Sequence, residues 1–449
     1  MTNTKGFSRR GVLRGGLAGI LATGVAPMIF TKGAYAQEFC NAPTGDTVTL
    51  GFNMPLTGAY ADEGADQQRA LTLAVEHLNG EGDGGLIPHL KPSAITGKGI
   101  LGKKVAYVTG DDQTKADAGR DSARRMIERD GAIMICGASS SAVAIAEQAL
   151  CQEMGVIYMA GLTHSNDTTG KDKKRYGFRH FFNAYQSGVA LGPTLGEAYG
   201  KDRVAYHLTA DYTWGWTQEE SMIKATEALG WKTLPPVRTP VGAGDFSQYL
   251  TPVLNSGADV LILNHYGFDG VNSITQAVQF GMRDKQINGK QFEIVLPLVS
   301  DLMAKGAGSA IKGIYGTSNW DWQLGDEASK AFTKSFGAKY GQPPSQIAHT
   351  SYVQALLYAD ACERAGTFYP PEVIKALEDF DFDGMGNGPT TYRGTDHQCF
   401  KDVLVVQGKD SPANEFDLLQ VVGTASKDSV TYDPAIFGGE LGPYDPAMC

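Results

Sequence analysis

The chain has 449 residues, with 39 Lys and Arg against 49 Asp and Glu. Residues 1–36 hold Lys5, Arg9, Arg10, Arg14 and Lys32 and no acid, so the formal charge of −10 becomes −15 over the remaining 413 residues. An acidic chain whose densest basic run is the short stretch 171–175 is not built to grip nucleic acid or an anionic membrane surface, and 413 residues suffice for two or three domains with cores of their own.

Taken in order, the chain opens on Ser8-Arg9-Arg10-Gly11-Val12-Leu13-Arg14, a twin-arginine export pattern. A Gly- and Ala-rich apolar stretch follows over 15–30, short for a membrane span. Ala34-Tyr35-Ala36 then offers a small-x-small cleavage site before Gln37. The alternative is an uncleaved anchor, and no lipid-attachment box precedes Cys40. The expectation is a signal peptide over 1–36, cleaved after Ala36, and a soluble protein released into an oxidising space without stable membrane insertion. All six cysteines (Cys40, Cys136, Cys151, Cys362, Cys399 and Cys449) lie in the exported part, at spacings that match no zinc site. Cys136 reads as a buried thiol, a Cys136–Cys151 bridge would be geometrically poor, and Cys362–Cys399 is the pairing we expect.

Strand-like runs fall at 47–53, 103–109, 132–136, 156–159, 203–208, 258–263, 291–296, 311–317 and 403–407. Amphipathic helices alternate with them. One apolar face is Ala70, Leu71, Ala74, Val75 and Leu78, another is Ala116, Ala123, Met126 and Ile127, and a third is Val271, Ile274, Ala277 and Val278. Short apolar strands followed by such helices mean βαβ units and parallel sheets, and eight or more strands divide most economically into two α/β lobes. After Gly384 the chain turns rich in Gly, Pro and Asp, and the tail from Ser426 reads as irregular. Residues 80–102 form a Gly- and Pro-rich insertion, an ordered surface loop or a flap over a cleft. Asp381-Phe382-Asp383-Gly384 reads as a turn, because Met385, Gly386 and Gly388 do not continue a calcium-ligand pattern.

In open α/β sheets, ligands bind where strands end and loops feed helix N-termini. Five junctions here carry suitable chemistry. Gly137-Ala138-Ser139-Ser140-Ser141 combines hydroxyls with a helix start, a setting for a carboxylate, or else simple N-capping. Gly161-Leu162-Thr163-His164-Ser165-Asn166 and Pro55-Leu56-Thr57-Gly58-Ala59-Tyr60 follow the same logic. Asp211-Tyr212-Thr213-Trp214-Gly215-Trp216 and Asn264-His265-Tyr266-Gly267 bring aromatics instead. Hydroxyls on one half and aromatics on the other suit a ligand gripped between two lobes. HExxH, G-x-S-x-G and GxxxxGK[ST] patterns are missing from the sequence, and no histidine pair has metal-ligand spacing. His164 beside Ser165 could be base and nucleophile, but polar loop lining is the commoner reason for such neighbours. No catalytic residue, metal or cofactor is expected.

Together these junctions, in this order and spacing, resemble the periplasmic solute-binding proteins of branched-chain amino acid type ABC importers, the Leu/Ile/Val-binding family. The resemblance runs from about Val48 to Gln407. It is carried by Pro55-Leu56-Thr57-Gly58, Asp111-Asp112, the serine loop, the loop at 161–165, Asp211-x-x-Trp214-Gly215 and the strand into Tyr266. It implies a type I periplasmic binding fold, with two Rossmann-like α/β lobes joined by a three-segment hinge near Phe182–Ala184, Thr317–Asn319 and Pro389–Arg393. Residues 43–183 with 318–390 would form lobe 1, and 184–317 with 391–449 lobe 2. The site residues it implies are Tyr60, Glu63, Ser139, Ser140, Ser141, Leu162, Thr163 and Ser165 from the first lobe and Trp214, Tyr266 and Leu298 from the second. Glu63 stands where relatives often carry an aromatic, and Trp214 where they carry Tyr. Leu298 stands where amino-acid binders place the acid that meets the ligand's ammonium, and an apolar residue cannot neutralise a buried charge. Either Asp301 or Asp269 substitutes, or the ligand is an amide, a urea or a simple acid. Trp214, Trp216, Trp320 and Trp322 would suit a flat ligand, although Trp320 and Trp322 also suit hinge packing. The implied function is that of a periplasmic receptor, not an enzyme. It would bind a small amino acid, amide or carboxylate as a monomer and deliver it to an ABC permease in the inner membrane. The rival readings are a sensor input on the same fold and an enzyme on the same scaffold.

Overall fold

A computed structural model describes Phe39 and residues 41–445. The expected export segment and cleavage site, Cys40 and Cys449 lie outside the described residues.

The first lobe starts as five strands with α-helices after the first three: β1 (Thr47–Met54), α1 (Ala61–Leu78), β2 (Lys104–Asp111), α2 (Ala116–Glu128), β3 (Met134–Gly137), α3 (Ser141–Met154), β4 (Ile157–Ala160) and β5 (Gly177–Arg179). The sheet order is β2-β1-β3-β4-β5, and every pairing is parallel. β3 and β4 are four-residue runs buried throughout, as a parallel strand covered by helices on both faces requires. The α1 face read from the sequence (Ala70, Leu71, Ala74, Val75, Leu78) is buried.

From there the chain builds the second sheet. Its elements are α4 (Ala184–Tyr199), β6 (Val204–Ala210), α5 (Thr213–Glu227), β7 (Lys232–Thr233), β8 (Val237–Thr239), α6 (Ser247–Leu254), β9 (Val260–Asn264), α7 (Gly267–Gln279), the small hairpin β10 (Gln286–Ile287) and β11 (Lys290–Gln291), β12 (Glu293–Leu298), α8 (Asp301–Ala307) and β13 (Tyr315–Ser318). Asn183 and Gln186 form a capping box at the start of α4, which fixes where the chain enters this half.

Three helices then return to the first lobe: α9 (Glu327–Tyr340), α10 (Gln346–Ala365) and α11 (Pro370–Leu377). α10 packs along α1 and is buried from Gln346 to Cys362 without a break. A three-stranded antiparallel sheet follows, made of β14 (Phe380–Phe382), β15 (Thr390–Tyr392) and β16 (Cys399–Phe400). The chain ends with β17 (Val403–Gly408), β18 (Leu419–Ala425) and α12 (Lys427–Val430). The second sheet runs β18-β17-β13-β12-β9-β6-β7, with β8 also paired to β6, and β17 and β18 are its antiparallel members.

The insertion at 80–102 is packed against the first lobe, not over a cleft. Leu86, Leu90 and Ile100 are buried in the first-lobe core. The Ala94 and Leu101 N–H groups donate to Asp360 and Glu363 of α10, each at 2.7 Å. The turn expected at Asp381–Gly384 is instead a strand end: Asp381 and Phe382 belong to β14, Asp383 bridges Lys91 antiparallel, and Gly384 follows at φ +86°.

The expected Cys362–Cys399 bridge is absent: both are buried free thiols, as are Cys136 and Cys151. Cys399 Sγ lies 3.4 Å from His180 Nδ1, and Cys362 sits inside α10 beside Tyr358. Burial pushes all four thiols up, so they are protonated and inert at neutral pH. Among the described residues no helix is long and apolar enough to cross a membrane.

Candidate functional site

The candidate site lies where the C-terminal ends of both sheets face each other. Eleven residues were expected there, and all eleven are buried, none more than 4 % exposed. The first wall starts at the end of β1. Burial opposes ionisation of Asp111, yet it accepts the Leu56 and Thr57 N–H groups and the Thr57 hydroxyl, which hold its carboxyl below the usual range. Thr57 and Asp111 therefore fix the loop that delivers Tyr60 and Glu63.

Behind β3, Gly137 and Ala138 both take positive φ, turning the chain sharply into the three serines. A Cβ on Gly137 would fall 1.9 Å from Asn53 O, so only glycine lets β3 approach β1 here. The serines have separate jobs. Ser139 Oγ accepts from Gln67 Nε2 at 2.8 Å. Ser140 stands at the N-cap of α3 without a side-chain capping bond, so the simple capping role does not hold. Ser141 Oγ accepts the His164 and Ser165 N–H groups at 3.1 Å each, tying the two loops together. Thr163 Oγ1 is fully buried and makes no hydrogen bond.

His164 and Ser165 form no nucleophile–base pair. The His164 ring bonds through Nδ1 to Phe182 O at 2.8 Å, and burial together with the Arg179 charge lowers it to about 3. Ser165 Oγ instead meets Thr213 Oγ1 at 2.9 Å and accepts the Asp167 N–H at 3.1 Å. Arg179 is fully buried under this loop. It donates to Thr163 O, Ser165 O, Thr169 Oγ1 and Gln398 Oε1, and no carboxylate pairs with it among the described residues.

The second wall is aromatic. Trp214, on the first turn of α5, lies 6.0–6.3 Å in ring-centroid distance from Tyr212, His164 and Tyr266. Tyr266 approaches Tyr60 of the first wall edge-on at 6.0 Å. Trp214 Nε1 and the Tyr266 hydroxyl are buried without hydrogen bonds; Ser300 and Gln346 come near that hydroxyl without reaching bonding geometry. Leu298 ends β12 inside the apolar cluster that also holds Tyr60, Leu162, Trp214 and Tyr266.

The two walls touch directly. Tyr60 and Tyr212 share a hydroxyl–hydroxyl bond of 2.8 Å, and Phe268 N donates to Ala59 O at 3.2 Å. Gly267 has φ +57°, and a Cβ there would meet the Tyr60 ring at 2.5 Å. Asn166 adds bonds from its N–H to Thr217 Oγ1 and from Nδ2 to Ser221 Oγ. This is a closed arrangement.

The sequence profile of the periplasmic binding protein family matches residues 47–413. The chain belongs to the periplasmic binding protein family. Leu/Ile/Val-binding protein homolog 1 of Brucella abortus is 25 % identical over 344 residues, covering 74 % of this chain and 82 % of that protein. A periplasmic binding protein from Burkholderia mallei superposes with a TM-score of 0.76 at 24 % identity, covering 86 % of this chain and 96 % of that one. A solute-binding protein of an ABC transporter from Rhodopseudomonas palustris BisB5, in complex with 3,4-dihydroxybenzoic acid, superposes with a TM-score of 0.72 at 18 % identity, covering 85 % of this chain and 98 % of that one. The fold is the type I periplasmic binding fold, and the family places the protein in the periplasm.

In this periplasmic binding protein the acids near the cleft differ sharply. Glu63, 2 % exposed on the first turn of α1, is pushed up to about 8 by burial, with Asp62 and Asp66 adding to the rise. Asp269 uses both oxygens on the Gly242 N–H at 3.0 and 2.9 Å, while burial raises it to about 6. Asp301 is raised by burial and by Asp321 and lines a cavity of about 310 Å³ together with Arg69 and Lys305. Of the other tryptophans, Trp216 is 45 % exposed and bonded to Asp211, whereas Trp320 is buried on His349, ring planes 2° apart. Trp320 is part of the first-lobe core.

The sequence places Tyr212 and Thr213 in a cleft junction without an individual role and gives no sign of Gln346. Gln346 ties Val299 O to the Asn319 N–H at 2.7 Å each, clamping one chain passage between the sheets. Thr213 and Thr217 stand one turn apart on α5 and both meet the 165–166 segment. That i, i+4 hydroxyl pair was the available signal.

Proposed function

We propose that this protein binds a small amino acid, amide or carboxylate in the interlobe cleft, as the substrate-binding component of a branched-chain amino acid type ABC importer. It delivers the ligand to a membrane permease as a monomer. The twin-arginine pattern and the cleavage site after Ala36 would bring it to the periplasm folded. The carrying observation is the set of buried polar atoms without partners on facing walls: Thr163 Oγ1 on one side, Trp214 Nε1 and the Tyr266 hydroxyl on the other. Unsatisfied buried donors are costly, and one small polar ligand would satisfy all three. The Arg179 charge beneath the Thr163 loop favours a carboxylate at that end. The Brucella relative's name speaks for amino acids, and the 3,4-dihydroxybenzoic acid of the Rhodopseudomonas complex for an aromatic acid.

Only a ligand that favours the closed state drives closure. The experiment is calorimetric titration of the mature protein with amino acids, amides and carboxylates, repeated on Thr163→Ala and Trp214→Ala. Saturable one-to-one binding that both substitutions weaken supports the reading. Binding unaffected by both overturns the site.

A further inference from the structure

Four of the six cysteines are accounted for, since Cys136, Cys151, Cys362 and Cys399 are buried free thiols. Cys40 and Cys449 are left, and their described neighbours meet on one side of the first lobe. Phe39 packs on Tyr369, ring centroids 6.0 Å apart, at the start of α11. The stretch 431–445 is a strap that leaves α12 and crosses to the same helix. The Tyr432 hydroxyl accepts from Asn183 Nδ2 at 2.8 Å, where the chain enters α4. Leu441 O accepts the Arg175 N–H at 2.5 Å, and Tyr444 O accepts the Tyr176 hydroxyl at 2.6 Å. The Tyr444 hydroxyl donates to Glu378 at the end of α11 at 2.5 Å, and the Arg175 guanidinium lies over its ring at 4.2 Å. Both Phe39 and Tyr444 pack against the first-lobe core. Beyond Tyr444, Asp445 comes near enough to Tyr369 and Tyr176 for its charge to raise both.

We infer that Cys40 and Cys449 form a disulfide, which closes the exported chain into a covalent ring and pins the strap to the first lobe. Cys40 adjoins Phe39, and Cys449 is four residues beyond Asp445. Four residues reach up to about 14 Å, and the eight residues of α11 are about 12 Å long. The thiol of Cys449 is therefore within reach of the residue next to Phe39. Asp445 is exposed and Phe39 and Asn41 are half-buried, so an oxidant has access here that the four buried thiols deny it. The periplasm permits the bond. One thiolate attacks the disulfide of a dithiol–disulfide oxidant, and the second thiolate displaces the oxidant's sulfur from the mixed disulfide. The chain gives up two protons and two electrons and gains an S–S bond, and the oxidant leaves as a dithiol. Closing so long a loop restricts the unfolded chain most. The inference stands apart from the receptor reading and needs only the oxidising compartment.

The test is thiol counting and peptide mapping of the protein taken from the periplasm, denatured and alkylated without reductant. We expect four thiols to react before reduction and six after it. One peptide pair should be joined through Cys40 and Cys449 and come apart on reduction. Cys40→Ser and Cys449→Ser should each lower the melting temperature by several degrees, and the double variant no further. Six reactive thiols before reduction overturn the inference. So does Cys40 or Cys449 joined to a second copy, to a small thiol or to one of the four buried cysteines. Melting unaltered by either substitution overturns the pinning of the strap. Where a variant fails to fold, the peptide map of the unaltered protein decides alone.

Discussion

The two walls of the cleft use their polar atoms in opposite ways. On the first wall, Ser139, Ser141 and Ser165 are already engaged with Gln67, with backbone N–H groups and with Thr213. On the second, Trp214 Nε1 and the Tyr266 hydroxyl are unengaged. The first wall is tied together through Ser139 and Ser141, while Thr163 Oγ1 is a buried hydroxyl of that wall without a bond. The second is a set of rings whose polar tips await a partner. Buried acids differ as well: Glu219 pairs with Arg238 at 2.5 Å and Asp259 with Arg203 at 3.4 Å. Asp112 Oδ2 and Glu147 Oε2 in the first lobe, and Asp301 Oδ1 in the second, are buried without partners.

The sharpest way to break this comparison is Trp214→Ala. If the aromatic wall supplies most of the binding energy, ligand affinity falls by about 3 kcal/mol, over 100-fold in titration calorimetry. A loss under fivefold would make the first wall dominant.

Next in size is a pH effect at Asp112 of the first lobe. Burial raises Asp112 to about 7, with Asp111 adding to it, so the folded protein keeps a proton that the unfolded chain has lost well below that pH. The resulting stability is complete below about pH 4 and is lost as pH rises to about 7. Asp112→Asn keeps the acceptor for the Thr114 N–H, 2.7 Å away, and removes the titration. It should stabilise the protein by on the order of 2 kcal/mol more at pH 8 than at pH 4, read from paired melts. The matching change at the ion-paired Glu219, Glu219→Gln, should instead destabilise at pH 8.

Smaller effects sharpen the contrast at the cleft. Thr163→Val removes the free hydroxyl of the first wall and should weaken a carboxylate ligand by about 1.5 kcal/mol, roughly tenfold. Tyr60→Phe removes the 2.8 Å bond to Tyr212 that spans the walls. It should cost about 1 kcal/mol of closure, seen as a few-fold faster ligand release in stopped flow. A double cycle with Tyr212→Phe should show the two effects to be shared.

Much of this was legible in the chain because strand order and junction chemistry are local. The runs at 47–53, 258–263 and 403–407 become β1, β9 and β17, and the hydroxyl and aromatic loops fall on opposite walls. What escaped depends on short or distant partners. β5 is three residues long, with no periodicity to show. β18 lies at the sheet edge with Val421 and Val422 exposed, so it lacks a buried alternation. The Arg179–Gln398 bonds join residues 219 apart, and no spacing rule reaches that far. The Cys362–Cys399 expectation failed for the same reason: the compartment permits a bridge, but Cys399 faces His180. Leu298 reads as a missing acid, and only the fold shows it inside the apolar cluster with Tyr60, Leu162, Trp214 and Tyr266.

The most direct test of the central claim, that two unlike walls enclose one small molecule, is native mass spectrometry of the protein taken from its periplasm. The account predicts an intact mass above that of the mature chain by one small organic molecule per chain. Denaturation should release it, and the Thr163→Ala/Trp214→Ala double variant should lack it. A small molecule retained at full occupancy in that double variant would contradict the account.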